Sequence, residues 1–212
     1  MFEIDYKGGN TVLVTTKKTN VIFDPKLSLL GLKDVTPKDS IQVVTEERFL
    51  VDNDNFRLIF DGPGEYEVAD VAIRGVPARR HIDEESSVPA STVYRVEIDG
   101  VKIAVLGNIA PVLSDEQLED IGLVDIVVIP VGGGGYTLDA TSASTLVRQL
   151  EPKVVIPVHY SDSGLKYEVP QDTLEVFTGE LGAPVEDGGG KYKLKSASAL
   201  PQVMTVVKLS RS

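Results

Sequence analysis

The sequence predicts an α/β domain of two layered sheets with helices on the outside. Three observations lead there. Short β-branched segments separated by turn residues fill the first half, and strand and helix patterns alternate in the second. Of the 212 residues 42% are hydrophobic, which supplies a large core.

The elements follow in order. FEIDY (2–6), TVLVTT (11–16) and NVIFD (20–24) are rich in β-branched and aromatic residues, with Gly, Asn and Lys between them. Residues 25–40 hold Pro25, Gly31 and Pro37 without periodicity and predict a long loop. IQVVT (41–45) and RLIF (57–60) predict buried strands. Residues 65–78 predict two short strands around a turn at Ala69-Asp70, and 79–89 a charged loop. STVYRVEI (91–98) and VKIAVLG (101–107) flank Asp99-Gly100, a type I′ hairpin pair. Ser114 and Gln117 form a capping box that opens a helix. DIVVIPV (125–131) is the continuous apolar run of a central strand. Four glycines (132–135) follow, then a helix capped by Asp139 with Ala143, Leu146, Val147 and Leu150 on one face. KVVIPVHY (153–160) predicts a second central strand, and a helix runs from about Gln171 to Leu181 after Pro170. Strands at 191–195 and 202–209 close the chain. With no repeat, linker or low-complexity segment, residues 1–212 read as one domain with a C-terminal β extension at about 186–212.

Composition narrows the chemistry. The absence of cysteine excludes disulfides, iron–sulfur clusters, thiolate zinc and a cysteine nucleophile. A formal net charge of −11 repels phosphate backbones, so no nucleic-acid partner is expected. The adjacent pair Arg79-Arg80 predicts a solvated turn. No apolar run approaches the ~20 residues of a membrane span, and the start lacks a signal-peptide pattern. A cytoplasmic location is the default expectation. No Gly-x-Ser-x-Gly elbow is present.

Four segments taken together, DGPGEYEVADVAIRGVPA (61–78), GVKIAVLGN (100–108), VDIVVIPVGGGGYTLDA (124–140) and EPKVVIPVHY (151–160), resemble the metallo-β-lactamase superfamily. The resemblance is to its small beta-lactamase-fold Zn-dependent hydrolases, similar to sugar-phosphate lactonases, and covers roughly residues 2–182. It implies a four-layer α-β-β-α sandwich with one or two metals at the sheet edges. Those metals are held by a His-x-His-x-Asp-His loop, a mid-chain His, a bridging Asp and a late His, and generate a hydroxide. Carried onto this chain, the loop after IQVVT places Glu46, Arg48, Leu50 and Val51 where its four ligands belong. His81 matches the mid-chain His, Asn108 the bridging Asp and His159 the late His. His81 and His159 are the chain's only two histidines.

Ligand count then argues against a metal. Leu50 and Val51 cannot ligate, and Arg48 is a permanent cation. The leading expectation is a catalytically silent binding or assembly module with no cofactor, in which Arg48 pairs with Glu46 or Glu47. The alternative is a hydrolase of a small ester, lactone or phosphate-bearing substrate, with one Zn or Mn ion on Glu46, His81 and His159. A third reading has the C-terminal strands pairing with an edge of this chain or of a second copy. Tyr136 and Tyr160 are candidate pocket residues for which packing is the simpler reading. The four glycines offer a weak anion cradle, for which Asp139 competes.

Overall fold

A computed structural model describes residues 1–83 and 88–212. In chain order the strands begin with β1 (Phe2–Gly8), β2 (Thr11–Thr15), β3 (Asn20–Phe23), β4 (Ser40–Val43) and β5 (Phe56–Phe60). Next come β6 (Gly64–Val68), β7 (Val71–Ala78), β8 (Ser91–Ile98), β9 (Val101–Val105) and helix α1 (Asp115–Ile121). The remainder is β10 (Ile126–Pro130), α2 (Ala140–Leu150), β11 (Val154–Val158), α3 (Leu174–Leu181), β12 (Val185–Gly189), β13 (Lys191–Leu194) and β14 (Thr205–Leu209). One sheet has six strands in the order β13-β1-β2-β3-β4-β5, the other eight in the order β12-β14-β11-β10-β9-β8-β7-β6.

Side-chain alternation explains the layering. Ile4, Val14 and Phe23 of the first sheet meet Ile103, Val128 and Ile156 of the second in the inter-sheet core. The opposite face of the second sheet, with Ala104, Val127 and Val155, is covered by Leu146 and Val147 of α2, Phe177 of α3 and Ile121 of α1. Strands β10 and β11 are therefore buried on both faces, which is why they read as unbroken apolar runs. Each fully buried aliphatic or aromatic side chain here contributes about 1.5–3 kcal/mol. On the outer face of the six-stranded sheet, Ile22 and Phe56 are covered by Val51 and Val35 from loops rather than from an α-helix.

The local signals match their elements. Asp99 and Gly100 both have positive φ, 52° and 76°, as a type I′ turn requires. Ser114 and Gln117 form the reciprocal capping box, and the Asp139 carboxylate accepts from the Ser142 amide at 2.7 Å. Several bounds differ from expectation, among them the start of β14, at Thr205 rather than Gln202. Helix α3 begins at Leu174, not Gln171, because the stretch before it is tied to neighbouring loops. There the Asp172 amide donates to the Gly132 carbonyl and its carbonyl accepts from Ser161. Strand β12 was not expected, since its Glu, Asp and glycines carry no strand signal, and it is held by backbone pairing to β14.

The C-terminal strands pair with edges of this chain, one of the two arrangements expected of them. β13 pairs antiparallel with β1 as the edge strand of its sheet, and β14 lies between β11 and β12 with both of its edges paired. Among the described residues no helix is long and apolar enough to cross a membrane.

Candidate functional site

Parallel neighbours end on the same sheet edge, and that edge collects the polar residues. The turn after β1 supplies Asn10, and the ends of β3, β4, β9 and β11 supply Asp24, Glu46, Asn108 and His159. All five are buried, between 2% and 6% exposed. Buried polar groups need partners: Glu46, Asn108, Asn10 and His159 satisfy one another as a chain, and Asp24 is satisfied by Thr45.

Glu46 sits at one end. Arg48 Nε lies 3.1 Å from Glu46 Oε2, and Arg48 Nη2 donates to Oε1 at 3.4 Å. Arg80 Nη1 approaches Oε2 to 3.9 Å while its other edge pairs with Asp83. Glu46 Oε2 and Arg48 Nε have no aligned hydrogen bond despite their separation, so that contact is Coulombic. Burial raises the Glu46 carboxyl above its usual range, against the opposing pull of Arg48 and Arg80.

From Glu46 the chain runs inward. Asn108 Nδ2 donates to Glu46 Oε1 at 3.3 Å, and Asn10 Nδ2 donates to Asn108 Oδ1 at 2.9 Å. His159 Nδ1 lies 3.0 Å from Asn10 Oδ1. An amide oxygen only accepts, so Nδ1 carries the proton. Burial, then the Arg48 charge, lowers the His159 pKa to about 3, so the ring is neutral with its lone pair on Nε2. The ring stacks on Tyr167 at 5.1 Å, and the residue holds φ at 50°, a conformation few side chains adopt. Asp24, also left-handed at 48°, accepts from the Thr45 amide at 2.7 Å and hydroxyl at 2.8 Å. Burial pushes the Asp24 carboxyl up to about 7. Close approach is built in here, since a Cβ on Gly107 would fall 2.6 Å from Thr45 Oγ1.

Arg48 is the hub. Its Cζ lies 4.5 Å over the Phe49 ring and 4.6 Å over the Tyr136 ring, both within cation–π range. It lines a pocket of about 30 Å³ shared with Asn10, Asp24, His159 and Tyr167. It also lines an outer cleft of about 720 Å³ with Glu46, Glu47, Asp61 and Arg80. The inner space suits about one or two waters, and Arg48 borders both it and the cleft.

The other expected positions separate. Val51 packs with Ile22 and Phe56, and its backbone exchanges two hydrogen bonds with the Gln42 side chain. Leu50 is half-buried beside it. The His81 amide donates to the Asn108 carbonyl at 2.8 Å, but its Nδ1 is buried without a partner among the described residues. Arg80, expected in a solvated turn, joins Glu46 instead. Tyr136, expected as packing, carries the Arg48 guanidinium, whereas Tyr160 does pack, against Tyr6 and the Leu209 carbonyl. Sequence reasoning missed Asn10, Asp24, Tyr167 and Arg80. Only Asp24 offered a signal, an acid closing an apolar strand before Pro25.

As placed here, the expected ligands do not converge into a metal-binding set. Among the described residues no three His, Asp or Glu side chains group as ligands, so Glu46, His81 and His159 are not assembled. The carboxylate such a set needs already faces two guanidinium groups.

Comparison with known proteins supplies the family context. The family model described as beta-lactamase superfamily domain matches residues 3–159. A protein of Thermococcus onnurineus named UPF0173 metal-dependent hydrolase is 34% identical over 100 residues, which span 46% of this chain and 44% of that relative, under half its length. A Saccharolobus solfataricus protein of the same name is 27% identical over 194 residues, covering 76% of this chain and 85% of that one. A structure from Thermotoga maritima, assigned to the Zn-dependent hydrolases of the metallo-beta-lactamase superfamily, superposes with a TM-score of 0.77 at 23% identity, covering 99% of both chains. A metallo hydrolase from Ignicoccus hospitalis gives 0.63 at 16% identity, over 99% of this chain and 94% of that one.

Proposed function

Because this chain belongs to the beta-lactamase superfamily, we propose that it keeps the superfamily's site architecture but works without a metal, as a binding module. The carrying observation is the Glu46–Arg48 pair with Arg80 beside it, at the position where the resemblance puts the first metal ligands. A guanidinium cannot lose its charge near neutral pH, so it opposes a second cation at that point. Asn108 and Asn10 then satisfy Glu46 and orient His159 with neutral amides. The outer cleft of about 720 Å³, with its mixed charges, is the surface this reading offers a ligand.

A second reading has its own support. Relatives at 27–34% identity are named metal-dependent hydrolases, and His81 Nδ1 is a buried nitrogen without a partner among the described residues. Under that reading the chain is a metal-dependent hydrolase of a small ester, lactone or phosphate-bearing substrate. It requires Arg48 to leave Glu46 and His81 to swing inward.

A thermal-shift titration with Zn²⁺ and Mn²⁺, run beside ester, lactone and phosphomonoester hydrolysis, separates the two. A ligand that binds only the native state raises its melting temperature with concentration. The metal-free reading predicts an unchanged midpoint and no metal-stimulated turnover. A concentration-dependent rise with turnover establishes the hydrolase.

A further inference from the structure

The surroundings of Arg48 have the chemistry of a cation-binding cage. One wall is the Glu46 carboxylate, 3% exposed, and two others are the faces of Phe49 and Tyr136 at 4.5 and 4.6 Å from Cζ. A buried anion flanked by π faces is how proteins recognise guanidinium and alkylammonium groups. The occupant here is the chain's own side chain, tethered two residues from the carboxylate it neutralises. Arg48 also bounds both the inner pocket of about 30 Å³ and the outer cleft of about 720 Å³. Glu46 already borders the cleft and His159 the inner pocket, so removal of Arg48 enlarges the space beside both.

We propose that Arg48 is a tethered cationic ligand plugging a guanidinium site formed by Glu46, Phe49 and Tyr136, and that emptying the cage yields a pocket for a free guanidinium cation. The inference rests on the metal-free reading above and sharpens it. A planar cation fits the cage by stacking on the rings and pairing with Glu46, whereas a divalent ion needs several convergent donors that the cage lacks.

The test is chemical rescue of Arg48→Ala, followed by thermal unfolding at fixed ionic strength. The probes are guanidinium chloride at low millimolar concentration, urea as a neutral isostere, and Zn²⁺. The variant should melt below the parent. Guanidinium should raise its midpoint by roughly 3–6 °C at about ten times its Kd, and urea and Zn²⁺ should not. A Glu46→Gln/Arg48→Ala variant should lose the rescue. Equal response to urea and guanidinium, or none to either, overturns the plug. A response to Zn²⁺ alone overturns the metal-free reading, and a response to both cations overturns only the cage's selectivity. If Arg48→Ala does not fold, the parent protein decides by NMR. Ring-current shifts on the Arg48 side-chain signals support the cage, and free-arginine shifts contradict it.

Discussion

At the scale of single residues, two buried groups pull stability in opposite directions with pH. Asp24 has its pKa raised to about 7, so the folded state holds a proton that the unfolded chain releases. Its contribution is complete below the unfolded carboxylate range and is lost as pH rises towards 7. His159 has its pKa lowered to about 3, so the unfolded chain binds a proton the folded state refuses. Its contribution is complete above the unfolded value of ~6.5 and is lost as pH falls. Between about pH 4 and 6.5 the two slopes, each up to about 1.4 kcal/mol per pH unit, cancel. Single variants should unmask them. Asp24→Asn keeps acceptance from the Thr45 amide and should make stability rise with pH in this window. His159→Asn, tolerated at positive φ, should make it fall. Urea unfolding at pH 4.5, 5.5 and 6.5 reads both slopes. Flat profiles for both variants would contradict the burial and partners assigned to these groups.

At the scale of elements, the C-terminal strands are structural. β13 closes one sheet against β1 and β14 joins β11 to β12 in the other. Leu194, Leu200, Val207 and Leu209 enter the inter-sheet core. Removing residues after 190 should therefore abolish cooperative unfolding, because four buried side chains at about 1.5–3 kcal/mol each match the stability of a whole domain. A truncated chain that still melts cooperatively, as a smaller species on a sizing column, would favour the assembly reading. The sequence announced most elements because their signals are local: the Asp99-Gly100 turn, the Ser114 capping box and the doubly buried β10 and β11. It did not announce β12, whose pairing with β14 is decided by tertiary contacts.

At the scale of the whole molecule, a fold shared with metal-dependent hydrolases presents an edge whose charges are balanced internally. Part of that edge was legible. The sequence leads to the expectation that Arg48 pairs with Glu46 or Glu47, and the structure contains the Glu46 pair. The rest depends on long-range placement. Asn10 reaches Asn108 across 98 positions and His159 across 149, and Arg80 meets Glu46 from the far side of the β7 end. No local pattern encodes such meetings. The most direct test of the central claim is metal content by elemental analysis, on protein purified without chelator or histidine tag, beside a His81→Ala/His159→Ala variant. The metal-free account predicts far less than one equivalent of Zn, Mn or Fe in both proteins. Near-stoichiometric metal in the parent, lost in the variant, would contradict it.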